Sequence, residues 1–237
     1  MLRDKSAFAE PRGRATLGAA GRGGPEGGYI VTMKKVNIGI LVSGSGTNLQ
    51  AIIDMAESGG LPANVACVIS DREDAFGLER ARKHAVPAHF VDPRKFQSRR
   101  EHEEAIIALL RKFDVELVVL AGYMRLLTTR LIGEFSNRII NIHPALLPSF
   151  PGTDGYGDAW RYGVKISGCT AHFVDEGCDT GPIILQGVNP VEPEDTFESF
   201  RERGLEIEHR ILPEAIKLYC EGRLLVEGRK VRILGKE

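Results

Sequence analysis

Apolar and polar positions along this chain follow two alternating rhythms. Val36–Val42 (VNIGILV) is a short, continuous apolar run, too short for an independent helix, and it predicts a buried parallel strand. Asn48–Ser58 (NLQAIIDMAES) places Leu49, Ile52, Ile53 and Ala56 at helical spacing and stops at Gly59-Gly60. The same patterns predict strands at Val65–Ser70, Pro87–Val91, Val115–Leu120 and Arg138–Ile142, and helices at Ala75–His84 and Arg99–Lys112. Ile106, Ile107, Leu110 and Phe113 share one face of the last of these. Beyond Pro144 the pattern changes. Ser167–Val174 and Pro182–Val191 read as strands paired antiparallel across a tight acidic loop, and a long helix at about Thr196–Leu218 closes the core. Strand–helix alternation of this kind predicts one α/β domain: an open, twisted, mainly parallel sheet with helices on both faces and an antiparallel C-terminal strand.

Composition changes this picture at one end. Residues 1–32, with Gly21, Gly23, Gly24, Gly27 and Gly28, show no sustained apolar period and cannot bury enough surface to offset their ordering entropy. They lack the apolar run of a secretory signal, and Asp4, Glu10 and Glu26 weaken a transit-peptide reading. A disordered leader over 1–32 and a folded domain over 33–237 are therefore expected. Lys+Arg 31 against Asp+Glu 32 gives a net charge of -1, which argues against a general electrostatic nucleic-acid binder. No apolar stretch approaches the roughly 18–20 residues of a membrane span. Cys67, Cys169, Cys178 and Cys220 lack any CxxC spacing, so reduced thiols in a cytoplasm are expected, and neither a disulfide scaffold nor a cysteine-rich metal site.

Ligands of open α/β sheets bind beyond the carboxyl ends of the strands, and three unusual segments lie at such ends. Ser43-Gly44-Ser45-Gly46-Thr47-Asn48 can converge backbone N–H groups at a helix N-terminus, an anion site. Leu49 stands where a dinucleotide fingerprint needs glycine, and no Gly-Lys-Ser/Thr is present, so a phosphate or carboxylate on a small ligand fits best. A tight turn with Thr47 or Asn48 capping the helix fits the same residues. In Asn141-Ile142-His143-Pro144, strand alternation puts Asn141 and His143 on one side. An amide beside an imidazole can donate two hydrogen bonds to a developing oxyanion; a core histidine at a strand end is the plainer alternative. In Asp175-Glu176-Gly177-Cys178-Asp179-Thr180-Gly181 a carboxylate could orient His143, or the loop could be a solvated hairpin.

Together the segments VNIGILVSGSGTNLQAIID, SDREDAFGLERA, AGYMRLL, NIHPALLPSFPG, HFVDEGCDTGPIILQ and IEHRILP occur in an order and at separations that resemble the phosphoribosylglycinamide formyltransferases, folate-dependent enzymes of purine synthesis. The resemblance covers Met33–Pro213 and implies a Rossmann-like formyltransferase fold. NIHPALLP and the DxGP segment are shared by all relatives that use 10-formyltetrahydrofolate, whereas Ser43–Asn48 resembles the loop that holds the ribonucleotide phosphate. By this resemblance Asn141, His143 and Asp179 form the catalytic trio, and Gly46, Thr47 and Asn48 hold the phosphate. Glu208 binds the ribose hydroxyls. Arg125, Leu126 and Leu127 wall the folate pocket, with Asp175, Glu176 and the rest of that loop opposite, and Leu147–Pro148 is a cis peptide.

The implied reaction passes the formyl group of 10-formyltetrahydrofolate, a cosubstrate, to the amine of phosphoribosylglycinamide, with no metal. Small-molecule substrates, no nucleic acid, no membrane, and a monomer or homodimer are expected. A deformylase of the same superfamily is the nearest rival, but those proteins carry an additional N-terminal domain and lack the glycine loop. A methionyl-tRNA formyltransferase needs a C-terminal RNA-binding domain and basic surface, and a catalytically silent sugar-phosphate binder does not need the trio. Four positions depart from the pattern, of which Tyr123 and Cys178 read as tolerated variation in pocket walls. Leu205 stands where a polar residue could help the phosphate, and Gly204 sits inside the long helix, where it costs ~1 kcal/mol relative to Ala.

Overall fold

A computed structural model describes residues 35–235; the expected leader, 1–32, lies outside the described residues. Its first half repeats strand and helix: β1 (Val36–Val42), α1 (Thr47–Glu57), β2 (Ala63–Ser70), α2 (Phe76–Lys83), β3 (Ala88–Phe90), α3 (Arg99–Lys112), β4 (Leu117–Leu120), α4 (Thr129–Glu134) and β5 (Ile139–His143). The second half comprises α5 (Gly155–Tyr162), β6 (Ile166–Phe173), β7 (Ile183–Pro190), α6 (Phe197–Cys220), β8 (Leu224–Glu227) and β9 (Lys230–Ile233). All the strands join one sheet in the order β3-β2-β1-β4-β5-β6-β7-β9-β8. From β3 to β5 it is parallel; β6 runs antiparallel to both β5 and β7.

Alternate residues of the central strands explain why those strands read as continuous apolar runs. Ile38, Ile40 and Val42 of β1, with Leu117 and Val119 of β4, pack into a core shared with Leu49, Ile52 and Ile53 of α1, Leu78 of α2 and Leu212 and Ile216 of α6. Leu41, Val118 and Leu120 point the other way, against Ile106, Ile107 and Leu110 of α3 and Leu131 and Ile132 of α4. A strand buried on both faces has no polar side to show.

The sequence patterns missed α4, α5 and the β8–β9 hairpin. Both helices are short, six and eight residues, with glycines inside them, and so carry too few turns for a legible period. The expected antiparallel C-terminal pairing is present in β6 and β7, and two further strands extend it: β8 pairs antiparallel with β9 across a turn in which Gly228 takes φ 62, and β9 joins β7 in parallel at Ile183↔Lys230. Their half-exposed, alternating faces lack a strong apolar signal.

The order of strands also places the site. From β1 the chain moves outward to β2 and β3, then returns to β4 on the other side, so β1 and β4 diverge at a topological switch point, where a crevice opens at their carboxyl ends. The two exits are tied there: Ser43 N–H donates to the Gly122 carbonyl at 3.0 Å, and Met124 N–H donates to Ser43 Oγ at 2.9 Å.

Candidate active site

Asn141 and His143 emerge at the end of β5 on the same side, as strand alternation requires, and both line a cleft of about 280 Å³. The proline-rich exit then doubles back. Phe150 (φ 52) presents its carbonyl to His143 Nε2 at 2.7 Å, and Gly152 donates its N–H to Asp179 Oδ2 at 2.8 Å. Asp179 itself takes φ 55 and stands with Oδ2 3.4 Å from His143 Nδ1. Phe150 and Asp179 thus both hold a left-handed conformation that non-glycine residues rarely adopt, at the two contacts flanking His143. As expected, Leu147–Pro148 is cis.

A residue not anticipated from the sequence completes this group. His172 of β6 lies directly across from Asn141 in the antiparallel ladder, and Asn141 Nδ2 donates to His172 Nε2 at 3.1 Å. His172 Nδ1–H donates in turn to the Phe173 carbonyl at 2.8 Å, which selects the tautomer with an acceptor at Nε2. Burial holds the His172 pKa below the ordinary histidine value, so this neutral form persists. One Asn141 N–H is thereby fixed and the other remains for a ligand. Only the β5–β6 register reveals the pair; 31 residues separate them in sequence.

Arg125, Leu126, Leu127, Asp175 and Glu176 line the same cleft, together with Arg99, Ile132 and Val174. Arg125 Nε is buried without a partner, a donor poised for a ligand acceptor beside apolar walls. Asp175 has a structural duty as well: its Oδ1 accepts from Thr180 Oγ1 at 2.6 Å and from Gly177 N–H at 3.1 Å, which shapes the loop that presents Asp179. Among the described residues no group of three or more His, Cys, Asp or Glu is arranged to hold a metal ion.

Gly46, Thr47, Asn48 and Glu208 do not line that cleft; they form a second cluster around the first turn of α1. Gly46 is the N-cap residue, at φ 68, and no side chain caps the helix, so the capping alternative for Thr47 or Asn48 does not hold. The first-turn N–H groups and the positive end of the helix dipole are left open to an anion. Gly46 admits no side chain, because a Cβ there would lie 2.6 Å from Gly77 Cα. Arg80 of α2 braces the loop by donating to the Ser45 carbonyl at 2.8 Å. Asn48 donates through Nδ2 to Glu208 Oε2 at 2.6 Å, across 160 residues. The other Glu208 oxygen accepts from the Tyr156 hydroxyl at 2.8 Å. Burial raises the Glu208 pKa while these two hydrogen bonds oppose the rise.

Comparison with known proteins supplies the family. Residues 36–216 match the model described as formyl transferase. The chain is 43% identical over 204 residues to the phosphoribosylglycinamide formyltransferase of Haemophilus influenzae, covering 86% of this chain and 95% of that protein. It is 42% identical over 185 residues to the enzyme of the same name from Bacillus subtilis, covering 78% and 94%. The crystal structure of glycinamide ribonucleotide transformylase 1 from Symbiobacterium toebii superposes with a TM-score of 0.84 at 53% identity, covering 86% of this chain and 96% of that one. With the described strand–helix order and the glycine loop at the switch point in accord, the chain belongs to the formyl transferase family, among the phosphoribosylglycinamide formyltransferases.

Proposed function

We propose that this chain transfers the formyl group of 10-formyltetrahydrofolate to the amine of 5'-phosphoribosylglycinamide, giving formylglycinamide ribonucleotide and tetrahydrofolate, a step of purine (IMP) biosynthesis. The observation that carries the assignment of roles is the convergence of Asn141, His143 and Asp179 on one cleft. Within it, Leu126, Leu127, Ile132 and Val174 suit a flat ring system, and the unpartnered Arg125 Nε suits a polar edge on that ring. The folate, when bound, supplies the activated formyl group.

In the transfer a bond forms between the glycinamide nitrogen and the formyl carbon, the bond from that carbon to the folate nitrogen breaks, and a proton passes from the amine to the departing nitrogen. Asn141, its amide set by His172, donates to the formyl oxygen as that oxygen gains negative charge. Because the Phe150 carbonyl holds His143 Nε2, Nδ1 is the ring atom that meets the reacting centre, and the Asp179 carboxylate 3.4 Å from it orients the imidazole and helps relay the proton. The open α1 terminus takes the phosphate, and Glu208 takes the ribose hydroxyls. On this reading the reacting groups of the two substrates meet at His143. Residues 33–237 act as one catalytic domain on small-molecule substrates in the cytoplasm, and among the described residues no helix is long and apolar enough to cross a membrane.

The reaction is tested by mixing the protein with 10-formyltetrahydrofolate, with and without the ribonucleotide. Folate release that requires the ribonucleotide is the expected result. Release without it would indicate a deformylase, and no release in either case a silent binder.

The pH dependence follows from His172. Its pKa is lowered in the fold, so the neutral ring that accepts from Asn141 is present above that value and is lost as pH falls through it. An acidic limb in the kcat profile lying below the ordinary histidine pKa is expected, and it should be abolished in His172→Gln. An unchanged acidic limb in that variant would remove His172 from the account.

A further inference from the structure

We propose that Tyr156 is a positioning residue for the ribonucleotide: its hydroxyl fixes the Glu208 carboxylate, and Gly204 is glycine so that the Tyr156 ring can lie against α6. The inference rests on reading Glu208 as the carboxylate that holds the ribose hydroxyls.

Glu208 lies inside the protein, 4% exposed, and a carboxylate there needs donors. It has one on each oxygen, Asn48 Nδ2 at 2.6 Å and Tyr156 Oη at 2.8 Å. Two donors on two oxygens fix the plane of the carboxylate, and each oxygen keeps acceptor capacity for a ligand hydroxyl. Tyr156 is suited to this duty. Burial and the neighbouring carboxylate push its phenol far up from the ordinary value, so it stays a donor throughout the working pH range.

The ring has a prepared bed. It packs edge-on against Phe200, centroids 5.7 Å apart at 83°. A Cβ at Gly204 would sit 2.5 Å from Tyr156 Cζ and 2.6 Å from its hydroxyl oxygen, so no larger residue fits there while the ring stays. A glycine within a 24-residue helix, unfavourable for the helix alone, thereby has a tertiary reason. At the neighbouring position, a Cβ on Gly155 would lie 2.7 Å from the Pro144 carbonyl oxygen, so α5 presses directly on the residue that follows His143. Tyr156 thus ties the carboxylate on α6 to the strand end that carries the chemistry, and Asn48 ties the same carboxylate to the α1 loop. These contacts link the carboxylate read as holding the ribose hydroxyls to the strand end that carries Asn141 and His143.

Steady-state kinetics of Tyr156→Phe, Glu208→Gln and the double variant test this, with ribonucleotide and folate varied separately. Tyr156→Phe keeps the ring and removes one hydrogen bond to a charged group, so KM for the ribonucleotide should rise about tenfold or more while kcat and the folate KM stay within about threefold. Glu208→Gln should raise the same KM, and in that background Tyr156→Phe should add less than about twofold. A ribonucleotide KM unchanged in Tyr156→Phe but raised in Glu208→Gln overturns the proposal and leaves the reading of Glu208 standing. Effects that multiply fully in the double variant overturn it too. No change in Glu208→Gln overturns the reading itself. For the packing half, Gly204→Ala should lower Tm beside Tyr156 but not beside Tyr156→Ala; an equal loss in both backgrounds would show that the ring is not what excludes a side chain.

Discussion

Asn141→Ala is expected to lower turnover by about 10²–10³-fold, the usual cost of removing one donor to a developing oxyanion, while the protein folds normally. Folding should survive because the Asn141 side chain is half-exposed at the end of β5 and its amide spans no apolar core; its ladder bonds belong to the backbone. What the substitution removes is a donor whose direction is preset. His172 Nε2 accepts one N–H, so the amide does not have to reorganise as charge develops on the formyl oxygen. The loss should fall on kcat with the KM values of both substrates little changed, because the interaction strengthens only in the transition state. Single-turnover rates and a thermal melt of the same preparation check this. A folded variant with near wild-type turnover would sink the oxyanion role.

Asp179→Ala should cost at least about as much, ~10²-fold or more, for a compound reason. Its carboxylate stands 3.4 Å from His143 Nδ1 and 3.7 Å from His172 Nε2, and it accepts from the Gly152 N–H. Removing it takes the negative charge from beside the imidazole and leaves a backbone donor without its partner. Asp179→Asn separates these effects. Asparagine tolerates the left-handed φ of 55, and its amide oxygen can still accept from Gly152, so the loop should keep its shape while the charge is gone. If charge is what matters, Asp179→Asn should be nearly as impaired as Asp179→Ala. Recovery to near wild-type turnover in Asp179→Asn would assign Asp179 a scaffolding role only.

The parts of the fold that could be read from the chain share one property: their signal is local and repeated. β1 and β4 are continuous apolar runs because both their faces are buried, and α3 shows its period because Ile106, Ile107 and Leu110 all meet the same core. Elements whose conformation comes from distant partners were not legible. α5 is eight residues long with Gly155 and Gly157 in it, and Gly155 makes sense only against the Pro144 carbonyl. Gly204, unfavourable in α6 by helix propensity alone, is explained by the Tyr156 ring that lies against it.

The candidate site divides in the same way. By itself the sequence determined that Asn141 and His143 share a strand face, that Ser43–Asn48 opens a helix at a strand end, and that an acidic loop follows β6, because each depends on spacing within a few residues. Only the tertiary structure decided which groups touch. The β5–β6 register set His172 against Asn141, the returning loop brought Asp179 to His143, and α6 carried Glu208 to Asn48 and Tyr156. Those contacts span 31 to 160 residues, and such pairings are set by how strands and helices pack into one core, which no local period encodes.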